Sequence, residues 1–219
     1  MIAHYSYDAK APDYFGQTRS DLLCFINLEK NLKVLEIGAG TGATLIQIKN
    51  EQPSVEAHGI ELQPITKNGN KIDGIDSMTY GDIETMTLPF ENEYFDCIIM
   101  GDVLEHLLDP LRTLEKLIKV LKEGGTFIVS VPNIREIRTI YNIFIKGRFE
   151  YKKDGILDET HLRFFCKTDI ELLLAKANLK KIETAPNYKL APRRRFLRFI
   201  HMGLLDYIFC PQIICVFKK

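Results

Sequence analysis

The chain has 219 residues, 46% hydrophobic and 26% charged, which fits one globular domain spanning 1–219 and excludes disorder as the default state. Its 29 basic and 29 acidic residues cancel, so whole-chain charge gives no reason to expect a nucleic-acid partner. No apolar run reaches the ~20 residues that a membrane-spanning helix requires. The opening MIAHYSYDAKAPDYFG lacks the basic flank and apolar core of a secretory signal. The five cysteines (Cys24, Cys97, Cys166, Cys210 and Cys215) are odd in number and show neither zinc nor disulfide spacing. A reducing, cytoplasmic setting is therefore expected.

Apolar runs bounded by turn residues alternate with stretches of helical period, the pattern of an α/β fold with a mainly parallel sheet. Leu32–Ile37 reads as the first strand and Thr41–Lys49 as a helix. Val55–Ile60 gives a second strand that stops at Glu61, and Ser77–Tyr80 a short third. Tyr94–Met100 has the continuous apolar character of a strand buried on both faces. Pro110–Leu121 carries the stripe Leu111, Leu114, Leu117, Ile118 and Leu121; Gly124–Gly125 ends this helix before the strand Thr126–Val131. Residues 133–165 are rich in Tyr, Phe, Arg and Lys and too long for a plain connection, so they read as an insertion or lid. Thr168 is placed to cap a helix Asp169–Ala177, and Asn178 to provide its left-handed stop. Leu179–Thr184 and Ile213–Lys218 read as two late strands that pair at one edge. Between them lies the basic apolar stretch Arg193–Phe209. From Pro186 to Lys219 seven basic residues face Asp206 alone, so the tail is a basic patch on an acidic body.

In LEIGAGTGATL a buried strand ends in Glu36, turns through Gly38, Gly40 and Gly42, and enters a helix. Glycines allow positive φ there and let the backbone approach a ligand without a Cβ in the way. A dinucleotide fingerprint shares this strand-turn-helix logic but requires G-x-G-x-x-G around a pyrophosphate. Here the run is G-x-G-x-G, with an acid two residues before the first glycine. A carboxylate at that point suits a cationic ligand better than a phosphate, because burying two negative groups together is costly. Glu61 ends the second strand nineteen residues after Gly42, where a carboxylate accepts from ribose hydroxyls. Asp82 follows the third strand with Ile83 beside it, an acceptor next to an apolar side chain, which suits an adenine ring.

The ordered segments EIGAGTG, GIEL, GDIETMTLPF and YFDCIIMGDVLEHLLDP resemble those of class I S-adenosylmethionine-dependent methyltransferases over Leu32–Val131. The resemblance implies a Rossmann-like three-layer sandwich whose seven-stranded, mainly parallel sheet has an antiparallel last strand, and S-adenosyl-L-methionine as cofactor. It implies that Glu36 and the loop Gly38, Ala39, Gly40, Thr41 and Gly42 lie near the methionine moiety. Glu61, with Leu62 beside it, falls on the ribose, and Asp82 with Ile83 on the adenine. Gly101, Asp102 and Val103 close over the sulfonium side. Tyr14 and Arg19, ahead of the first strand, either reach the methionine carboxylate or are surface-helix residues.

Methyl transfer from a sulfonium is an in-line displacement with an excellent leaving group, so positioning and desolvation carry much of the barrier lowering. A base is needed only for an acceptor that starts protonated, and histidine is the usual candidate. His161, in LDETHLRFF, is the first choice and His106, in GDVLEHLLDP, the second; a structural tie between loop and helix is the alternative reading of His106. Asp102, Glu105 and His106 form D-x-x-E-H, which resembles the E-x-x-E-H that binds a divalent cation in small-phenol and RNA-terminus methyltransferases. Most relatives with a Glu-His pair here need no metal, and none is expected. LDETHLRFF and the helix after it resemble the bacterial subgroup found with glycan and surface-polysaccharide biosynthesis, which points to O-methylation of a sugar or small-metabolite hydroxyl. A phenol or quinone precursor, or a noncatalytic cofactor-binding module, are the competing readings. Arg193–Phe209 is either an interfacial helix making peripheral contact with an anionic membrane or a helix packed over the acceptor cleft or in a dimer interface.

Overall fold

A computed structural model describes residues 18–29, 31–65, 72–188 and 205–219. Seven strands form one sheet: β1 Lys33–Ile37, β2 Glu56–Glu61, β3 Ser77–Tyr80, β4 Phe95–Gly101, β5 Leu121–Pro132, β6 Lys180–Asn187 and β7 Gln212–Lys218. Their order is β3-β2-β1-β4-β5-β7-β6. The pairs from β3 through β5 are parallel, whereas β7 runs antiparallel to both β5 and β6. The expected fold, including the edge pairing of the two late strands, is therefore present.

Successive side chains of a strand point to opposite faces, and here both faces are covered. On one face Leu35, Ile37, Ile98, Met100, Phe127 and Val129 pack against α3 (Pro110–Val120) and α5 (Lys167–Lys176), through Leu114, Leu117, Ile170 and Leu174. On the other, Val34, Cys97, Ile99, Ile128 and Ile214 pack against α1 (Ser20–Leu23) and α2 (Ala43–Glu51), through Leu22, Leu23, Leu45 and Ile48. The chain reverses its winding direction between β1 and β4, so their carboxyl ends open a crevice at the switch point where ligands of such sheets bind.

Several boundaries differ from the expected ones for local reasons. Helix α2 starts at Ala43 rather than Thr41, because Gly42 has φ 76 and a left-handed residue cannot sit inside the helix. Helix α3 stops at Val120 and Leu121 is already extended, so Gly124–Gly125 lies within β5 instead of ending the helix. The start of α5 is Lys167: the Cys166 amide donates to Asp169 Oδ2 at 3.2 Å, and this replaces the Thr168 cap. Asn178 does adopt the left-handed stop, with φ 62.

The insertion leaves the sheet at Asn133 and returns at Phe165, where the Ile134 amide donates to the Phe165 carbonyl at 3.1 Å. It carries α4 (Ile137–Ile140), capped by Glu136, which runs on into the π-helical turn Tyr141–Ile145. Asn133 is fully buried, and its Nδ2 donates to the carbonyls of Tyr207 (2.6 Å) and Cys210 (2.9 Å). Those carbonyls belong to α6 (Asp206–Phe209) and the residue after it, so one amide ties the insertion to the entry of β7. Of the stretch Arg193–Phe209, only Leu205–Phe209 is among the described residues; Tyr14 lies outside them. Among the described residues no helix is long and apolar enough to cross a membrane.

Replacing Asn133 with Ala leaves the buried Cys210 carbonyl and the part-buried Tyr207 carbonyl without this donor, at a cost of about 1–3 kcal/mol. Urea unfolding of Asn133→Ala is expected to show a lower midpoint with an unchanged slope. A midpoint equal to wild type would show that the amide does not hold the insertion.

Candidate active site

The crevice beyond β1, β2 and β4 holds an open pocket of about 130 Å³, lined by Ile37, Gly38, Ile60, Glu61, Leu62, Gly81, Asp82, Ile83, Glu84, Asp102, Val103, His106 and Leu107. Its first wall is the glycine loop. Gly38, Gly40 and Gly42 have φ values of 70, 56 and 76, a region other residues enter at a cost. A Cβ on Gly38 would stand 2.6 Å from Cγ2 of Val103, so the loop and the segment after β4 approach through the missing side chain.

Two buried glutamates frame this loop. Glu61 Oε2 accepts from the Gly40 amide and Oε1 from the Leu62 amide, both at 2.8 Å. Burial raises the Glu61 pKa, and the two amides act against that shift. Glu36 is 4% exposed and lies behind the loop. Its Oε2 has no hydrogen-bond partner among the described residues. Burial pushes its pKa up to about 8, opposed by Thr44 and Arg19 and reinforced by Glu61. A buried oxygen of this kind beside a backbone cradle fits a cationic ligand.

Arg19 anchors a hydrogen-bond network at the ends of β4, β5 and β7. Its Nη1 donates to Asp102 Oδ2 and its Nη2 to Ser130 Oγ, each at 2.7 Å, while Nε and Nη2 engage Asp21. Gln212 Nε2 donates to both Asp102 oxygens at 2.8 Å, and Asn187 links Asp21 to Gln212. Burial lowers the guanidinium pKa, but Asp102 and Asp21 more than offset it and hold it above its usual value. Asp102 itself adopts φ 56. Of the residues expected over the sulfonium side, Asp102 and Val103 line the pocket, while Gly101 lies under Arg19, whose Nη1 is 2.8 Å from where its Cβ would be.

The far wall is the turn after β3. Asp82 is exposed, its carboxylate accepting from the Glu84 amide (2.9 Å) and the Thr85 hydroxyl (3.1 Å), and Ile83 is buried beside it. Glu84 is a wall residue that the sequence reading did not single out. It accepts from the amides of Leu108 (3.0 Å) and Asp109 (2.7 Å) and so clamps this wall to the start of α3.

His106 closes the remaining side, in the 3₁₀ turn Leu104–His106. The insertion brings His161 against it, with ring centroids 4.8 Å apart. His161 is 6% exposed and forms no part of the pocket wall; its Nε2 lies 4.0 Å from Oε1 of the buried Glu105. The D-x-x-E-H pattern therefore does not assemble as a unit: Asp102 is turned to Arg19 and Gln212, and His161 takes its place beside Glu105 and His106. None of the insertion aromatics Tyr141, Phe144, Phe149, Tyr151, Phe164 and Phe165 lines the pocket; Phe149 meets Tyr151 and Phe164 edge to face, and Phe165 joins the core.

A seven-stranded sheet of this order with a glycine loop between two strand-end acids defines a Rossmann-like fold of the methyltransferase type. Residues 7–184 match the methyltransferase domain family, and the chain belongs to it. The family and the fold imply S-adenosylmethionine as the cofactor. The chain is 28% identical over 126 residues to the ubiquinone/menaquinone biosynthesis C-methyltransferase of Pectobacterium carotovorum, covering 53% of this chain and 50% of that protein. It thus spans about half the length of that relative. An uncharacterized protein of Methanocaldococcus jannaschii is 29% identical over 215 residues, covering 87% of this chain and 82% of its own. The solved SAM-dependent methyltransferase of Archaeoglobus fulgidus superposes with a TM-score of 0.62 at 18% identity, covering 95% of each chain. A [4+2]-cyclase, SpnF, superposes at 0.61 with 15% identity over 99% of this chain and 83% of its own, so the fold alone does not fix a reaction.

The raised pKa of Glu36 makes the fold pH-sensitive. Folded, the group holds its proton to about pH 8; unfolded, it releases it near 4.5. Its contribution is therefore fully present below pH 4.5 and is lost as pH rises through 8. Glu36→Gln, which cannot ionise, is expected to raise the thermal midpoint of the unliganded protein above pH 8 and to leave it near wild type at pH 4.5. A constant difference across that range would show that Glu36 is not held protonated.

Proposed function

We propose that the chain is an S-adenosylmethionine-dependent methyltransferase acting on a hydroxyl of a sugar or similar small metabolite. The observation that carries the first part is the pair of buried carboxylates, Glu36 and Glu61, on the ends of adjacent strands around a positive-φ glycine loop. When bound, the cofactor supplies an electrophilic methyl group on a sulfonium. Glu36 takes the cationic methionine end, with Arg19 close enough to favour its ionised form. Glu61 holds the glycine loop with one lone pair of Oε2 and keeps others for the ribose. Asp82 and Ile83 take the adenine, and Gly38, Asp102 and Val103 close the sulfonium side. The acceptor enters at His106, the member of the Glu105–His106–His161 cluster on the pocket wall, and that cluster activates its hydroxyl. The sugar acceptor is supported by the likeness of LDETHLRFF to the glycan-associated subgroup.

A second acceptor, a phenol or quinone precursor, is favoured by the quinone-biosynthesis relative and by the apolar pocket walls at Ile37, Ile60, Leu62, Ile83 and Leu107. A panel of nucleotide sugars and hydroxylated quinone precursors, assayed with labelled methyl donor, separates the two.

Calorimetry with S-adenosylhomocysteine is expected to give micromolar binding that Glu61→Ala weakens at least tenfold; no binding to wild type would end the reading. Because Glu36 must ionise to meet a cation, S-adenosylmethionine is expected to bind more tightly at pH 8 than at pH 6, with proton release, and Glu36→Gln is expected to abolish that pH dependence.

A further inference from the structure

The insertion turns an apolar helix face outward. Helix α4 and the π-helical turn after it form one helical run from Ile137 to Ile145. A surface helix ordinarily lays its apolar stripe on the core. Here Thr139 is buried and Ile140 and Ile143 are half-buried, while Ile137, Tyr141, Phe144 and Ile145 are exposed by 37, 49, 79 and 71%. Those four recur at helical spacing (i, i+4, i+7, i+8), so they share one side of the run. Single exposed apolar side chains are common on folded proteins and need no partner, but a row of them on one helix marks a contact surface. The chain then stays exposed to residue 155, and Phe149 and Tyr151 meet edge to face there with ring centroids 5.5 Å apart.

The charges along this surface decide what meets it. Arg138, Lys146, Arg148, Lys152 and Lys153 are all exposed, and Lys146 Nζ lies over the Tyr141 ring, 5.3 Å from its centroid. Against these five stand the exposed acids Glu150 and Asp154, a local excess of three on a chain that is neutral overall. Glu136 is buried as the helix cap, accepting from the amides of Arg138 and Thr139. The core of a protein interface is depleted of lysine, and single-stranded nucleic acid is held by stacking aromatics in a groove. Here the aliphatic Ile137 and Ile145 stand beside the aromatics on an outward helix face, flanked by long cationic side chains. That is the composition of a helix lying at the headgroup level of an anionic bilayer, where the apolar face sinks in and Lys and Arg reach the phosphates. Each Lys or Arg held near such a surface strengthens binding about fivefold.

We propose that the face formed by Ile137, Tyr141, Phe144 and Ile145, with its flanking lysines and arginines, docks the protein peripherally on an anionic lipid bilayer. The base of the same insertion meets the acceptor end of the pocket, where the amides of Leu162 and Arg163 donate to the Glu105 carbonyl at 2.8 and 3.0 Å. The docking face and the acceptor end thus share one insertion. The inference goes beyond the methyltransferase reading, does not depend on it, and concerns a segment distinct from Arg193–Phe209.

Flotation of the full chain with vesicles of equal parts phosphatidylcholine and phosphatidylglycerol, at low salt, is the test. Wild type is expected to float with these vesicles, to stay behind with phosphatidylcholine alone, and to be released as added salt shortens the Debye length. The double variants F144S/I145S and K146E/R148E are each expected to lose about tenfold or more in vesicle affinity. Both change exposed side chains, so their thermal midpoints and S-adenosylhomocysteine binding are expected to match wild type, which separates lost docking from lost folding. The chain has no tryptophan, so F144W places a single reporter on the face; its emission is expected to move to shorter wavelength with the anionic vesicles. No flotation of wild type, flotation that either double variant retains in full, or an F144W emission that the vesicles leave unchanged overturns the proposal. So does a dimer, or retention of single-stranded RNA, that F144S/I145S abolishes while vesicles stay unbound, because the face then serves a second copy or a nucleic acid.

Discussion

A carboxylate buried at the end of a strand has to be satisfied where it stands, and here Glu61 is satisfied by the backbone of the glycine loop. The Gly40 amide reaches Glu61 Oε2 because Gly38 and Gly40 both lie at positive φ. The loop in turn is tethered to β2 by the amides of Gly38 and Ala39 on the Ile60 carbonyl. Its shape then sets the start of α2 at Ala43 and brings Val103 close enough to fill the space of the absent Gly38 side chain. Remove the Glu61 bond and the same buried charge faces the loop without a donor, so loop, strand and pocket wall are one interdependent unit.

Charge around that unit is arranged in opposed pairs. Burial and the neighbouring Glu61 raise the cost of ionising Glu36, and the Arg19 guanidinium reduces it. Arg19 cannot leave this position freely, since Asp21, Asp102 and Ser130 hold it, and Gln212 holds Asp102 from the antiparallel strand β7. The late strand therefore does more than complete the sheet. It fixes the left-handed Asp102 at the mouth of the pocket from behind, coupling the last seven-residue strand to the cofactor end.

The cofactor half was legible in the sequence because each of its parts is local. A strand, its terminal acid and the glycine turn lie within a dozen residues, and the turn requires glycine for a backbone reason that leaves a mark in the residue types. Glu61 and Asp82 follow at strand ends that hydrophobic patterning locates. Glu84 was missed because its partners, the amides of Leu108 and Asp109, lie 24 and 25 residues away and carry no side-chain signal. The Arg19 network was missed for the same reason, spanning 83 residues to Asp102 and 111 to Ser130. The boundaries of α2, α3 and α5 shifted where backbone geometry at Gly42, Leu121 and Cys166 overrode propensity.

The acceptor half is non-local in a stronger sense. D-x-x-E-H reads in sequence as three neighbours sharing one task, yet Asp102, at positive φ, is turned to Arg19 and Gln212 while Glu105 and His106 stay together. The constellation that forms instead takes His161 from the insertion, held by amide bonds to the Glu105 carbonyl that no side-chain pattern announces. The insertion is anchored separately at Asn133 and Phe165, whereas its Phe144 is 79% exposed and lines no part of the pocket. The Glu105–His106–His161 cluster thus depends on where an insertion of some thirty residues lands on the turn after β4, whereas the glycine loop and its two acids form without it.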